Sequence, residues 1–403
     1  MLLYADGPVL TLDQAGLEGP GQGDTFLDRL RDWTGLPSKP TEPLALPFAG
    51  GWFLYLGYEL IGEIEPTLRL PCARDGLPTA LAARCPAAIV IDHIEHKSWL
   101  VAETSSDLEQ ARCAMTVDRS AAEQQDSALK LTLQAEPGVD FMQGVARIRE
   151  WILDGDVFQV NLSRGWLGQS TTTLDPVLIY RLLGQNNPAP FAGLARLPGG
   201  TILSSSPERL VEVRGRQVQT RPIAGTRPRG ASADQDVGLS EELIAHPKER
   251  AEHIMLIDLE RNDLGRVCEP GTVQVDELMM IESYAHVHHI VSNIRGLLRP
   301  GVHAADVIAA VFPGGTITGC PKVRCMEIIA ELEQHGRGFY TGAMGYLGLD
   351  GGMDLNILIR SMAVTGSALS FRTGAGIVAD SEPAAELAET EAKARGLLRA
   401  LAG

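Results

Sequence analysis

Two pairs of glutamates at helical spacing are the first residues in this sequence that could do chemistry. Glu249 and Glu252 lie three positions apart in a segment that begins at Pro247, and Glu386 and Glu389 repeat the spacing further along the chain. Residues three apart share one face of a helix, so each pair directs two carboxylates the same way. Two such helices facing each other would offer oxygen ligands to a hard divalent cation such as Mg²⁺. Taken alone, the pattern is also typical of solvated helix faces.

Basic residues near those carboxylates could bind an anionic substrate. Arg360 follows the apolar run 355–359, where an unpaired cation would be costly, so it is a candidate clamp for a carboxylate. Lys393 lies on the same predicted helix face as Glu386 and Glu389. Residues 222–230, PIAGTRPRG, follow a predicted hairpin over 210–220. This loop offers a glycine and a hydroxyl to an anion, and we expect its two arginines to shape the loop or meet solvent.

Three histidines, at positions 286, 288 and 289, lie close together in an apolar stretch. A single histidine in such a place is usually a satisfied core residue. Three within four positions make a functional role for one of them more plausible. No cysteine or histidine elsewhere has the spacing to complete a metal site with them.

Two glycine-rich segments approach nucleotide-binding motifs without matching them. Residues 312–322, FPGGTITGCPK, place Cys320 and Pro321 before Lys322, and Val323 stands where a phosphate loop needs a hydroxyl. Residues 373–376, TGAG, lack the third glycine of a dinucleotide fingerprint. The backbone N–H groups of these segments could instead approach a compact anion, although tight turns between strands explain them equally well.

The bulk composition limits the classes of partner. The 403 residues carry a formal net charge of -16 with a pI of about 5.0, and such a field repels nucleic acid and anionic lipid. The sequence has no run of about 20 apolar residues and no signal-peptide pattern, so we expect no membrane partner. The six cysteines are scattered without a Cys-x-x-Cys pair, which indicates reduced thiols in a cytoplasmic protein.

The secondary-structure elements that position these residues are predicted to fall into two parts of the chain. Residues 1–130 carry short apolar runs split by Gly and Pro, which predicts a β-rich part, and the polar stretch 103–138 is the predicted connection. From 139 to 403 the pattern predicts a mixed α and β catalytic part, and the two parts form one compact unit. The predicted helices cover 141–153, 247–264, 304–311, 322–332 and 381–401. The predicted strands cover 157–163 and 367–373, with a hairpin over 340–364. This order fits an α/β (α+β) protein with two antiparallel sheets and helices outside.

The chain resembles the chorismate-utilising enzymes from about residue 46 to residue 401. The resemblance rests on segments that occur together and in order, which are 158–163 (FQVNLS), 206–208 (SPE), 222–230, 248–265, 288–292 (HHIVS), 312–322, 374–380 and 386–393. It implies the fold of that family, a two-sheet antiparallel β-sandwich with helices packed outside and the active site between its halves.

The resemblance also implies roles for single residues. The positions that correspond to the family's Mg²⁺ ligands are Glu249, Glu252, Glu386 and Glu389. The positions that would hold the carboxylates and ring of chorismate are Gly225, Thr226, Tyr340, Arg360, Ala375, Gly376 and Lys393. The implied catalytic residues are His289, Glu208, Thr226 and Gln159. Of these, His289 corresponds to the histidine that assists loss of the C4 hydroxyl, a poor leaving group that needs an acid. Magnesium on the ring carboxylate would draw electrons as that hydroxide leaves.

The implied nucleophile is ammonia. Isochorismate and salicylate synthases carry a lysine base where this chain has Gln159, and without that base water activation is disfavoured. The chain contains no segment like a glutamine amidotransferase, so the resemblance implies a synthase component that receives ammonia from a separate amidotransferase subunit.

Two products remain open at this point. The segments 159–163, 190–191 and 312–319 resemble aminodeoxychorismate synthases, which serve 4-aminobenzoate and folate synthesis. Many of those enzymes, however, carry a lysine at the position of Ala224, and alanine there is typical of anthranilate synthases. We favour the aminodeoxychorismate type because several segments outweigh one residue, and we keep anthranilate synthase as the alternative.

The amino terminus also differs from the family pattern. The chain begins roughly fifty residues late relative to typical members. The strand with the Leu-Leu-Glu-Ser element of the tryptophan-inhibition site has no counterpart in this sequence. The expectation that follows is an absence of tryptophan feedback.

Overall fold

The fold is taken from a computed structural model, which describes residues 2–4, 10–11, 22–35, 46–115, 129–230, 232–284 and 287–402. The strands are β1 (Leu2–Tyr4), β2 (Leu10–Thr11), β3 (Gly51–Leu56), β4 (Ala80–Cys85), β5 (Ala87–Asp92), β6 (Lys97–Ala102), β7 (Leu131–Ala135), β8 (Gln159–Ser170), β9 (Phe191–Leu197), β10 (Gly200–Ser206), β11 (Arg209–Arg214), β12 (Gln217–Thr220), β13 (Ile223–Pro228), β14 (Gln274–Ser283), β15 (Val287–Leu297), β16 (Gly319–Cys320), β17 (Ala343–Gly348), β18 (Met353–Ile357), β19 (Ser361–Thr365) and β20 (Ala368–Ile377).

Helices connect and cover these strands. They are α1 (Phe26–Thr34), α2 (Ile61–Ile64), α3 (Ser105–Met115), α4 (Gly138–Leu153), α5 (Pro176–Asn186), α6 (Ala233–Ala245), α7 (Pro247–Gly265), α8 (Ala304–Val311), α9 (Lys322–Glu333) and α10 (Pro383–Ala402), with short 3-10 turns at Tyr58–Leu60 and Gly315–Ile317. Pro247 opens α7 at a first-turn position, where its missing N–H costs no helical hydrogen bond. No helix among the described residues combines the length and apolar composition needed to cross a membrane.

The strands form two large antiparallel sheets. The larger sheet has the order β13-β15-β12-β11-β18-β17-β3-β4-β1-β2, and β14 also pairs with β15. The smaller sheet has the order β16-β8-β20-β19-β10-β9, and β7 also pairs with β8. A separate hairpin joins β5 to β6. Every strand pairing in the described part of the chain is antiparallel, which confirms the predicted sheet type.

Apolar side chains fill the space between the sheets and the space under the helices. The inter-sheet cluster joins strands of both sheets and includes Tyr55, Leu81, Ile202, Met344 and Leu358. Under α4 and α9, the outer face of the smaller sheet contributes Val160, Leu162, Ala375 and Ile377 to another cluster. Helices therefore lie outside and the sheets face each other, as the sequence pattern predicts.

The alternation of side chains along β8 and β20 decides what enters the inter-sheet space. Asn161 stands opposite Gly376, and the next pair is Leu162 opposite Ala375. Because successive side chains of a strand point to opposite faces, Leu162 and Ala375 face the helices. Gln159, Asn161, Gly374 and Gly376 consequently share the inward face.

The predicted helices are confirmed with bounds that differ by at most three residues, and the 210–220 hairpin is confirmed as β11 and β12. The hairpin predicted over 340–364 is only partly right. The strands β17 and β18 form it, but β19 pairs with β10 and β20 in the smaller sheet. The predicted connection 103–138 falls partly on residues 116–128, which lie outside the described residues, as does His286. The division of the chain into parts 1–130 and 139–403 stays a prediction.

Candidate active site

The inward face of β8 and β20 lies against the first turns of α7. Gln159 on β8 donates from Nε2 to the Oε1 of Glu252 on α7 at 2.8 Å. Gly376 on β20 lies directly beside this contact, and a Cβ at that position would stand 2.3 Å from Gln159 Nε2 and 3.3 Å from Glu252 Oε1. Only glycine leaves the amide and the carboxylate room to meet, because any larger residue would collide with them.

The carboxyl group of Glu252 is crowded by like charge. Burial raises the pKa of Glu252 to about 7, with further upward contributions from Glu249 and Glu389, while Gln159 and Lys393 act in the opposite direction. A buried carboxylate beside two others is unfavourable unless a cation neutralises the group. The geometry therefore builds a point where binding of a positive charge is favoured.

Glu249 is approached by β13, and the prediction that residues 222–230 form a loop is wrong for 223–228, which pair with β15. Gly225 has a φ of 68°, and the register of β13 against β15 shifts between Ala224 and Thr226. A Cβ on Gly225 would lie 2.9 Å from Glu249 Oε2. Glycine therefore suits this position for two reasons: it adopts the positive φ, and it lets the strand pass close to the Glu249 carboxylate. The Nη1 of Arg227 donates to Glu249 Oε1 at 3.2 Å, so this arginine meets a predicted metal ligand.

The second pair of glutamates comes from α10. Lys393 Nζ lies 2.7 Å from Glu389 Oε1 and donates to the backbone carbonyl of Gly374 at 2.9 Å. Glu386 lies on the buried side of the same helix. The helix thus places one carboxylate and one ammonium group beside the inward end of β20.

The four glutamates suit Mg²⁺ in donor type and charge, but they do not form a closed cluster. No group of three or more His, Cys, Asp or Glu side chains among the described residues is arranged to hold a metal ion. In this conformation Glu249, Glu252 and Glu389 each bond another side chain, and the assignment of the four glutamates as metal ligands stays a prediction. Those contacts are Glu249 with Arg227, Glu252 with Gln159, and Glu389 with Lys393. Hard oxygen donors and the repulsion at Glu252 are nevertheless what a divalent cation would satisfy.

His289 and Thr226 face each other across β15 and β13. The Nδ1 of His289 lies 2.9 Å from Thr226 Oγ1, and the Tyr284 ring lies 5.8 Å from the imidazole between centroids. Burial, reinforced by the nearby Arg360 cation, lowers the pKa of His289 to about 4. The imidazole is therefore neutral near pH 7, and a bound dianion would favour its protonated form.

Glu208 is a buried carboxyl group at the inter-sheet end of β10. Burial raises its pKa to about 7, while Arg360 and Lys393 are among the groups that lower it. Its Oε1 has no hydrogen-bond partner. A carboxyl group that titrates near neutrality beside two cations can donate or accept a proton at physiological pH.

Arg360 carries the expected features of an anion clamp. Its backbone has a φ of 50°, unusual for a residue with a side chain, and desolvation lowers the pKa of its guanidinium. The Arg360 side chain forms no hydrogen bond or ion pair with another residue in the ranges that the structure describes, and its nearest charges include Glu208 and Glu389. A desolvated cation in that state is stabilised by an incoming carboxylate.

Tyr340 and the glycines of β20 border the same space. A Cβ on Gly374 would stand 2.7 Å from the Tyr340 hydroxyl, so the hydroxyl lies over that glycine. Ala375 differs from its neighbours, since its methyl group belongs to the core under α4 and α9. The assignment of Ala375 as a substrate contact therefore needs correction: only its backbone can contribute, because strand alternation turns its side chain away.

Two residues of the site carry no role in the sequence prediction. Asn161 lies on the inward face of β8, and its Oδ1 would be 2.8 Å from a Cβ on Gly374. Arg227 bonds Glu249, whereas we expected it only to shape its loop or meet solvent. Period-two alternation from Gln159 could have identified Asn161. The sequence contains no pattern that predicts the contact of Arg227 with Glu249, because this contact depends on how α7 packs against β13.

Comparison with known proteins identifies the family of the chain. The family model described as chorismate binding enzyme matches residues 12–399. A Synechocystis anthranilate synthase component I-like protein is 44% identical over 90% of this chain and 74% of its own length. Aminodeoxychorismate synthase component 1 of Bacillus subtilis is 42% identical over 88% of this chain and 77% of its own.

The solved structures agree as well. Anthranilate synthase component I of Streptococcus pneumoniae superimposes with a TM-score of 0.86 at 32% identity and covers 98% of this chain and 89% of its own. The Escherichia coli menaquinone-specific isochorismate synthase shares the fold, with a TM-score of 0.69 at 19% identity over 91% of this chain and 93% of its own. The chain therefore belongs to the chorismate-binding enzyme family.

Proposed function

We propose that this chain is the synthase component (component I) of an aminodeoxychorismate synthase. It would exchange the C4 hydroxyl of chorismate for ammonia to give 4-amino-4-deoxychorismate and water. In the net reaction a C–O bond breaks, a C–N bond forms, and one proton of the nitrogen leaves with the hydroxide as water. The product would supply 4-aminobenzoate and folate synthesis.

The observation that carries the proposal is the pair of side-chain amides on the inward face of β8. Gln159 and Asn161 are both buried there, and neither can take a proton from water at neutral pH. Activation of water as a nucleophile needs a general base, whereas ammonia brings its own lone pair. The strand thus favours amination of the substrate over hydration.

The remaining side chains can bind and activate the substrate. Arg360 and Lys393 would hold its carboxylates, since they are the cations that border the inward ends of β18 and β20. His289, oriented by Thr226, would donate a proton to the departing C4 oxygen once the dianion has raised its pKa. Mg²⁺ held by Glu249, Glu252, Glu386 and Glu389 would bind a substrate carboxylate and stabilise charge that develops on the ring.

Three segments favour the 4-amino product. Asn161, Pro190–Phe191 and 312–319 resemble the aminodeoxychorismate type, and Asn161 puts a polar side chain into the site where anthranilate synthases more often have valine.

Anthranilate synthase is the second candidate, and Ala224 favours it. Ala224 is a buried methyl group where many aminodeoxychorismate synthases have a lysine nucleophile. Relatives named anthranilate synthase component 1 include a 42% identical protein of Streptomyces coelicolor. In that reaction chorismate and ammonia give anthranilate, pyruvate and water.

Product analysis separates the two candidates. The purified chain is incubated with chorismate, MgCl₂ and NH₄Cl, which makes an amidotransferase unnecessary. We expect a non-aromatic product that an added lyase converts to 4-aminobenzoate and pyruvate. Fluorescent anthranilate with pyruvate released before any lyase is added would contradict the proposal and establish the second candidate. Glutamine should replace NH₄Cl only after addition of the amidotransferase subunit that we propose as the partner.

A further inference from the structure

Two buried amide oxygens on β8 lack hydrogen-bond partners. Gln159 is 2% exposed and Asn161 is 7% exposed, and neither Gln159 Oε1 nor Asn161 Oδ1 is bonded. Leaving a buried acceptor unpaired costs roughly 1–3 kcal/mol, so most buried polar atoms in proteins are paired. Two such atoms at consecutive inward positions of one strand call for a ligand that donates hydrogen bonds.

The Gln159 side chain and the Asn161 backbone are held by contacts that leave the two amide oxygens free. Gln159 donates from Nε2 to the Glu252 carboxylate at 2.8 Å. This hydrogen bond fixes the orientation of the amide and leaves Oε1 as its acceptor. The backbone of Asn161 is fixed on both sides, since its N–H donates to Thr318 O at 2.9 Å and its C=O accepts from Arg337 Nη2 at 2.8 Å. These acceptors belong to rigid strand structure.

The spacing suits a small molecule. Alternate residues of a strand are about 6.6 Å apart, slightly more than two hydrogen-bond lengths, so one nitrogen between the two side chains would reach both oxygens where the side chains lean toward each other. Gly374 lies directly beside Asn161 Oδ1, since a Cβ there would stand 2.8 Å from that oxygen and 2.7 Å from the Tyr340 hydroxyl. The donor could be an N–H of ammonia or an O–H of the substrate.

We propose that Asn161, together with Gln159, binds the ammonia that attacks chorismate. This inference rests on the proposed function and adds the residue that positions the nucleophile. Ammonia has three N–H donors and one lone pair. Neutral amide oxygens accept the N–H groups without taking or giving a proton, so the lone pair stays available for attack. A carboxylate at the same place would instead stabilise ammonium, which has no lone pair.

The test measures two affinities in the same variant. In Asn161→Leu the side-chain size is nearly kept and the acceptor is lost. With NH₄Cl as nitrogen source, we expect the KM for ammonia to rise about fivefold to tenfold, which corresponds to one lost hydrogen bond. The dissociation constant of chorismate, measured by equilibrium binding, should change less than about twofold. Asn161→Ala serves the same purpose if the leucine variant does not fold.

Asn293→Leu is the matched control, because Asn293 is also a buried strand asparagine with an unpaired Oδ1 but lies beside Asp276 and Gln219. It should leave the KM for ammonia unchanged. An unchanged KM for ammonia in Asn161→Leu overturns the inference and leaves the proposed function intact. Weaker chorismate binding with unchanged ammonia dependence also overturns it and assigns Asn161 to the substrate. No ammonia-dependent consumption of chorismate by the wild-type chain would overturn both.

Discussion

Lys393 and Glu389 form an ion pair of 2.7 Å on one face of α10, in which a predicted substrate ligand neutralises a predicted metal ligand. The same ammonium group donates to Gly374 O, so it bridges the helix and the inward edge of β20. Both residues are partly exposed, with 34% of the Lys393 side chain and 48% of the Glu389 side chain accessible. Binding of a cation to Glu389 and of a substrate carboxylate to Lys393 would break this ion pair.

Replacing Lys393 by methionine should therefore have opposite effects on metal and substrate. Removing the competing cation frees Glu389, and we expect Mg²⁺ affinity to rise about twofold to fivefold, the range of a partly exposed pair. Turnover of chorismate should fall at least about tenfold, because a charge-assisted contact to the substrate carboxylate is lost. Calorimetric titration with Mg²⁺ and a steady-state assay measure the two quantities. Weaker Mg²⁺ binding in Lys393→Met would contradict the competition between Lys393 and the metal.

Glu252→Gln should stabilise the metal-free fold above neutral pH. The folded-state pKa of about 7 lies above the ordinary value of 4.5, so the carboxyl costs no stability below pH 4.5 and its full cost is present above pH 7. The variant should gain on the order of 2–3 kcal/mol at pH 8 and less than about 1 kcal/mol at pH 5, as measured by urea unfolding with EDTA present. It should also lose Mg²⁺ binding.

Glu331→Gln is the control for that experiment, because Glu331 is an exposed carboxylate on α9. Its unfolding free energy should not differ between the two pH values by more than about 0.5 kcal/mol. An equal gain for Glu252→Gln at pH 5 and pH 8 would show that ionisation of the buried Glu252 carboxyl group is not the cause.

Binding of Mg²⁺ should release a proton near neutral pH. The metal needs the ionised form of Glu252, whose pKa burial and Glu249 raise to about 7. Affinity should therefore decrease as the pH falls through 7, by about tenfold between pH 8 and pH 6. Titrations in buffers with different ionisation enthalpies count the released proton directly. A constant affinity over this range would refute the assignment of Glu252 as a ligand.

The sequence predicted the elements better than the contacts between them. Helical spacing identified Glu249 with Glu252 and Glu386 with Glu389, because 3.6 residues per turn fixes which side chains share a face. The same spacing could not tell that Arg227 and Lys393 occupy two of those carboxylates, since these contacts depend on the packing of α7 against β13 and on side-chain rotamers.

Strand assignments show the same limit. Period-two alternation could have separated Ala375 from Gly376, yet the resemblance assigned both residues to substrate binding. The sheet membership of β19 was not predictable from its turn signals, because a hairpin pattern does not specify which sheet its next strand joins. The lack of a hydrogen-bond partner for Asn161 Oδ1 depends on the pairing of β8 with β20 and could not be predicted from the sequence.

The stability of the site's support depends on a buried ion pair beneath it. Arg337 Nη2 lies 2.7 Å from Glu333 Oε1, with 1% and 2% of the two side chains exposed, and the same guanidinium donates to Asn161 O and Ile317 O. Without Arg337, the buried Glu333 carboxylate keeps only a longer contact to Arg372, at 3.6 Å, and hydrogen bonds from Ser163. Arg337→Met should therefore lower the free energy of unfolding by about 3 kcal/mol, the lower end of the range for breaking a buried pair. The exposed pair Arg112–Glu109 gives the matched control, and Arg112→Met should cost less than about 0.5 kcal/mol. Urea unfolding at pH 7.5 measures both. Similar losses in the two variants would mean that burial does not govern the contribution of Arg337.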